Sequence, residues 1–112
     1  MANVASVRDP QVIRFNLDSD FSGGAAFNFV LPSKAEIVNV FWIRTDAVGG
    51  GAVTLRNAGA NVAVIGTPAN QFDIVSAANL QNVTVAANAT LSLTAPANTT
   101  RGRLYITILP GI

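Results

Sequence analysis

Few side chains in this sequence are equipped for chemistry, and they are scattered. Histidine and cysteine are absent. That removes His-assisted nucleophiles, thiolates, disulfides and the commonest zinc ligands. Six carboxylates remain, Asp9, Asp18, Asp20, Glu36, Asp46 and Asp73. Glycoside hydrolysis needs two of them facing each other across a sugar cleft, and no spacing here sets up such a pair. Lys34 has no neighbours that would suit Schiff-base chemistry. Asp18-Ser19-Asp20 has the Asp-x-Asp spacing of a calcium loop. Calcium takes six to eight oxygens, however, and no further acidic ligands follow. The segment reads as a solvated turn whose Asp side chains cap backbone amides. Gly49-Gly50-Gly51 lacks the Lys and Ser/Thr of a phosphate loop. The residue inventory points away from an enzyme, a metal site and a cofactor.

Binding is a better fit than catalysis. Trp42 and Tyr105 are candidates for an aromatic surface that would stack on a sugar. Yet Trp42 lies among Val40, Phe41 and Ile43, and a large aromatic in such a run more often fills a core or a subunit interface. Arg101 and Arg103 are the one close pair of cations, suited to an acidic partner or to a solvated strand end. The other basic residues are dispersed and the net charge is +1, which excludes the clustered footprint of a nucleic-acid binder.

Composition bounds the rest. The length of 112 residues fits one domain. Half the residues are hydrophobic and 12% are charged, against a usual value of about 25%. A short chain cannot bury that much apolar material, so its surface is poor in charge and suits a subunit that packs against other protein. The start, M-A-N-V-A-S-V-R-D-P, lacks a secretion-signal pattern. No apolar run approaches the ~18 residues of a membrane span. The expectation is a chain made in the cytoplasm, without membrane or nucleic-acid partners.

Residues 36–46, E-I-V-N-V-F-W-I-R-T-D, form the longest uninterrupted β-type run. Ile37, Asn39, Phe41 and Ile43 alternate with Val38, Val40, Trp42 and Arg44, which predicts a central strand covered on both faces. Further strands are predicted over 11–17, 25–31, 52–57, 62–65, 71–76, 82–86, 89–94 and 103–109, with a loop or short helical turn over 77–80. Inward positions include Ile13, Phe15 and Leu17; Phe27 and Phe29; Val53 and Leu55; Leu91 and Leu93; and Leu104, Ile106 and Ile108. Eight or nine short strands with turn signals at intervals of about ten residues predict an all-β fold, a single antiparallel β-sandwich of jelly-roll type. Residues 1–10 read as an extended arm before a sandwich domain over 11–112. Val4, Val7 and Arg8 on the arm are candidate contacts, as are Trp42, Tyr105, Arg101 and Arg103.

The run F-N-F-V-L-P-S-K-A-E-I-V-N-V-F-W-I-R-T-D at 27–46, the glycine break after it, V-T-L-R-N-A-G-A-N at 53–61 and L-Y-I-T-I-L-P at 104–110 together resemble small β-sandwich proteins of tailed-bacteriophage particles. Within that group the chain is most similar to capsid decoration, or cement, proteins. The resemblance implies a virion protein on the outer surface of the head. It would be homotrimeric, with the major capsid protein as partner, and would staple neighbouring capsid subunits to stabilise the shell. It carries over no residue-level role. The alternatives are a carbohydrate-binding or host-attachment module, and another virion subunit at a head-fibre base, neck or tail.

Overall fold

Alternation of large apolar and polar residues along short runs separated by Gly, Pro and Asn lets a chain bury its apolar sides as two sheets laid face to face. The computed structural model, which describes residues 10–17, 26–46, 51–96 and 101–110, has that arrangement. Nine strands run in chain order: β1 (Gln11–Asn16), β2 (Ala26–Val30), β3 (Ala35–Arg44), β4 (Ala52–Asn57), β5 (Ala60–Gly66), β6 (Ile74–Ser76), β7 (Thr84–Val85), β8 (Thr90–Thr94) and β9 (Gly102–Pro110). One sheet has the order β1-β9-β3-β6, with β7 also pairing β3; the other has the order β2-β8-β4-β5. Every pairing is antiparallel.

The chain passes from one sheet to the other between β1, β2, β3 and β4, stays in one sheet for the hairpin of β4 and β5, and crosses again to β6, from β7 to β8 and from β8 to β9. This is jelly-roll topology, with first and last strands adjacent. The hairpin turns through Ala58 and Gly59, both at positive φ (49° and 87°), as a two-residue turn matched to strand twist requires.

Most of the inward residues read from the alternation line the core. Leu17, Trp42, Val53, Leu55, Leu91, Leu93, Leu104, Ile106 and Ile108 are all fully buried. Phe29, expected in the core with Phe27, is 40% exposed because β2 is an edge strand. Three further expectations differ. The register between β3 and β9 shifts between Ile37 and Asn39, so Val38 is an extra residue that reverses the alternation. Ile37 therefore shares the inner face with Val40, Trp42 and Arg44, and Phe41 and Ile43 turn outward. Second, β3 is flanked by strands on both sides but covered on one face only; Val38 is 45% exposed. Third, the strand expected over 71–76 begins at Ile74, because Phe72 sits at φ 67°, outside the strand region. Residues 77–80 form a loop without helix.

Candidate interaction surface

The two outer faces of the sandwich differ in chemistry. On the four-stranded sheet the outward positions are Asn28 opposite Ser92, Val30 opposite Thr90, and Thr94 opposite both Ala26 and Thr54. Arg56 lies down on this face and donates from Nη1 to Thr94 Oγ1 at 2.9 Å. Val64, opposite Thr54, is 61% exposed and Val30 is 53% exposed, so the face mixes hydroxyls and amides with two open valines.

The five-stranded sheet presents something else. Antiparallel pairing places Val12 beside Thr107, Arg14 beside Tyr105, and Asn16 beside Arg103. On the other side of β9, Asn39 lies beside Thr107, Phe41 beside Tyr105 and Ile43 beside Arg103. Ile74 continues the last row beside Ile43. Paired residues share a face, so Phe41, Ile43, Tyr105, Val12 and Ile74 form one apolar field with Arg14 and Arg103 within it. Phe41 and Tyr105 stack at its centre with ring centroids 4.9 Å apart and planes at 14°. Each ring shields the other, leaving both half-buried, whereas Val12 at the margin is 62% exposed. Aromatic groups and arginine over a charge-poor background are the residue types enriched at the centres of protein interfaces.

Two buried polar side chains fix the ends of this sheet. Arg44, only 6% exposed, ends β3 and donates from Nε to the Asp46 carbonyl at 2.9 Å and from Nη1 to the carbonyls of Pro68 and Ala69 at 3.1 and 2.5 Å. Its backbone accepts the Phe72 N–H at 2.6 Å. The loop so pinned displays Phe72, 65% exposed, beside Ile74 at 57%. At the opposite end Asn57 donates from Nδ2 to the carbonyls of Asn82 and Thr84 at 2.9 and 2.8 Å. It clasps β7 to the hairpin of β4 and β5. An open depression of about 540 Å³ lies there, lined by amides, a Thr hydroxyl and small apolar side chains such as Ala58 and Ala89. None of its lining residues is an acid, a base or an activated nucleophile. Among the described residues no three carboxylates converge on a point.

The residues singled out from the sequence are distributed unequally. Tyr105 and Arg103 lie together on the outer face of the five-stranded sheet. Arg101 is exposed just before β9, where its carbonyl accepts the Thr45 N–H at 3.1 Å. Trp42 is fully buried, so it offers nothing to a partner. Trp42 is paired with Leu104, one position from Tyr105, and successive residues of a strand point to opposite faces. Trp42 and Tyr105 therefore cannot form a joint platform for a sugar. Val4, Val7 and Arg8 lie outside the described residues, as do Asp18 and Asp20. Phe41, Ile43, Val12, Arg14 and Ile74 join the candidate surface and are not marked by the sequence; only the pairing of distant strands brings them together, and Phe72 is exposed in the loop that leads into Ile74.

No family model matches this chain, and no curated protein matches it. Among solved structures it is similar to a chain of the 2.6 Å structure of T=1 particles derived from infectious bursal virus, at 12% identity and a TM-score of 0.24. The overlap covers all of this chain and 39% of that one. So loose an overlap carries no argument about the role of this chain.

Proposed function

We propose that this chain is a structural subunit of a virus particle: a capsid decoration protein of a tailed bacteriophage, seated on the outside of the head against the major capsid protein. The virion part of this reading comes from the resemblance of the segments at 27–46, 53–61 and 104–110. The observation that carries a docking role is the contrast between the two outer faces. One mixes hydroxyls and amides with Arg56 and the exposed Val30 and Val64, and among the described residues it presents no aromatic ring. The other holds the stacked Phe41 and Tyr105 with Ile43, Val12 and Ile74 around them and Arg14 alongside.

The mechanism is non-covalent stapling. Covering apolar surface contributes about 25 cal/mol per Å² before the cost of association. Arg14 gives the contact an electrostatic preference for an acidic neighbour. Linking several such contacts through an oligomer, or across several capsid subunits, multiplies a weak seat by effective concentration.

The test is to mix the purified protein with phage heads that lack it, and to repeat the mixing with Val12→Glu and Ile74→Glu. Both positions are exposed at the margin of the field, so the fold tolerates them. The expected result is occupancy over the whole shell, reduced at least tenfold by either substitution. Retention on a glycan column without binding to heads would overturn the proposal. Attachment at a single vertex or along a tail would move the protein to a neck or tail role.

A further inference from the structure

A β-sandwich has open sheet edges, and each is a template for another strand unless something blunts it. Among the described residues, three of the four sheet edges are blunted, each by a different device. β1 carries Arg14, exposed at the rim of its sheet. The opposite edge of that sheet consists of β6 and β7, three and two residues long. β5 bears a bulge, seen as a register shift against Leu55 and Arg56 of β4. The remaining edge is β2, with the sequence Ala26-Phe27-Asn28-Phe29-Val30. It has no charge, no proline and no glycine, and its register with β8 is unbroken. Among the described residues no backbone hydrogen bond reaches its open side. Phe29 and Val30 stand there 40% and 53% exposed.

We infer that the partner on this edge is β2 of a second copy of this chain, paired antiparallel about a two-fold axis through Asn28. An antiparallel pair of identical strands closes on a two-fold axis, and the sequence favours centring that axis on Asn28. The segment Phe27-Asn28-Phe29 is symmetric about Asn28, so this register sets an aromatic opposite an aromatic on each side of the axis. Antiparallel partners share a face, which sets Phe27 of each copy against Phe29 of the other on the inner side, where Phe29 is otherwise left open. On the outer side Asn28 meets Asn28, and Ala26 of one copy meets Val30 of the other, with no charge to be desolvated. The contact is isologous and closes on itself. It joins two four-stranded sheets into one continuous sheet and leaves the field around Phe41 and Tyr105 uncovered on both copies. This inference does not depend on the virion reading. It replaces the three-fold closure implied by the resemblance with a two-fold one.

The experiment is light scattering on the intact protein, on Asn28→Lys and Asn28→Glu separately, and on their equimolar mixture. Asn28 is exposed and faces outward, so circular dichroism of each variant should match the unsubstituted protein. The unsubstituted protein is expected at twice the 11.6 kDa chain mass. Like charges placed directly opposite each other repel, so each variant alone is expected at the single-chain mass, with the affinity of dimer formation weakened at least tenfold. The mixture, which sets Lys against Glu, is expected to return to twice the chain mass. That recovery also separates lost pairing from lost folding. A monomer, a trimer, or a dimer indifferent to both substitutions would overturn the inference.

Discussion

Gly102 lies directly beneath the indole of Trp42. A Cβ built on Gly102 would fall 2.5 Å from Cζ2 and 2.6 Å from Cη2 of Trp42, and would also collide with the Ile43 carbonyl. The backbone of β9 and the largest side chain of the core have been fitted to each other with no space for a methyl group. Gly102→Ala must push the ring or split the pairing of β9 with β3. Overpacking of this kind costs about 1–3 kcal/mol, and the backbone carbonyl cannot move aside as a side chain would. The expected outcome in urea denaturation is an unfolding free energy lowered by that amount, seen as a lower midpoint with an unchanged slope. Trp42 is the sole tryptophan, so its fluorescence reports the same transition. An unchanged midpoint would mean that the ring has slack that the packing does not show.

Arg44 predicts a second effect, at the end of β3. Its guanidinium holds three carbonyls, those of Asp46, Pro68 and Ala69. A planar fork does this where a point charge on a flexible stem cannot. Arg44→Met keeps much of the volume and leaves those carbonyls without their donor. With hydrogen bonds to charged groups worth about 1.5–3 kcal/mol each, and not additive, the expected loss is about 3 kcal/mol. Arg44→Lys should recover less than half of it. Amide exchange at 67–73 should accelerate in both variants more than exchange in β4 or β8. Equal stability of the Lys and Arg proteins would refute the fork geometry as the cause.

What could be read from the sequence followed physical locality. Leu91 and Leu93, or Leu104, Ile106 and Ile108, alternate without interruption, and one buried face per strand is all that such a pattern needs. The jelly-roll fold follows from many such strands and frequent turns. The bulge at Val38 was not legible, because I-V-N-V-F-W-I is apolar in either phase. The extra residue moved Phe41 to the opposite face from the one its spacing implied. The stacking of Phe41 on Tyr105, and with it the whole candidate surface, depends on strands far apart in the chain. Alternation along β3 puts Arg44 on the face of Trp42, but its partners Pro68 and Ala69 come from a loop whose path no local rule sets.

Asn57 carries a third prediction. Both hydrogens of its amide are used, one on the Asn82 carbonyl and one on that of Thr84. Only 8% of the residue is exposed. Asn57→Asp puts acceptor oxygens against two carbonyls with no proton between them at neutral pH. Leaving buried acceptors unpaired costs about 1–3 kcal/mol each, so Asn57→Asp should be the more damaging change and Asn57→Ala the milder one. Thermal denaturation at pH 7 should rank the proteins Asn, Ala, Asp from most to least stable. If Asp were as stable as Asn, the amide would not be the clasp of β7.

Phe72 is expected to behave in the reverse sense, as a site where the natural residue weakens the fold. It holds φ 67° and is 65% exposed, so it combines backbone strain with little packing in return. A non-glycine residue in this region costs about 1–2 kcal/mol, and glycine gives back part of that through the greater freedom of its unfolded chain. Phe72→Gly should therefore raise stability by about 1 kcal/mol, or roughly 4 °C in Tm for a chain of this size. Phe72→Ala keeps the strain and should give no gain. The hydrogen bond from the Phe72 N–H to the Arg44 carbonyl survives in both variants, so the comparison isolates the backbone term. Strain retained at an exposed aromatic points to use of that side chain outside the fold. Under the proposed docking role, the same glycine variant should bind phage heads more weakly although it is more stable. A variant that is both more stable and fully competent to bind would leave Phe72 without a role on the docking surface.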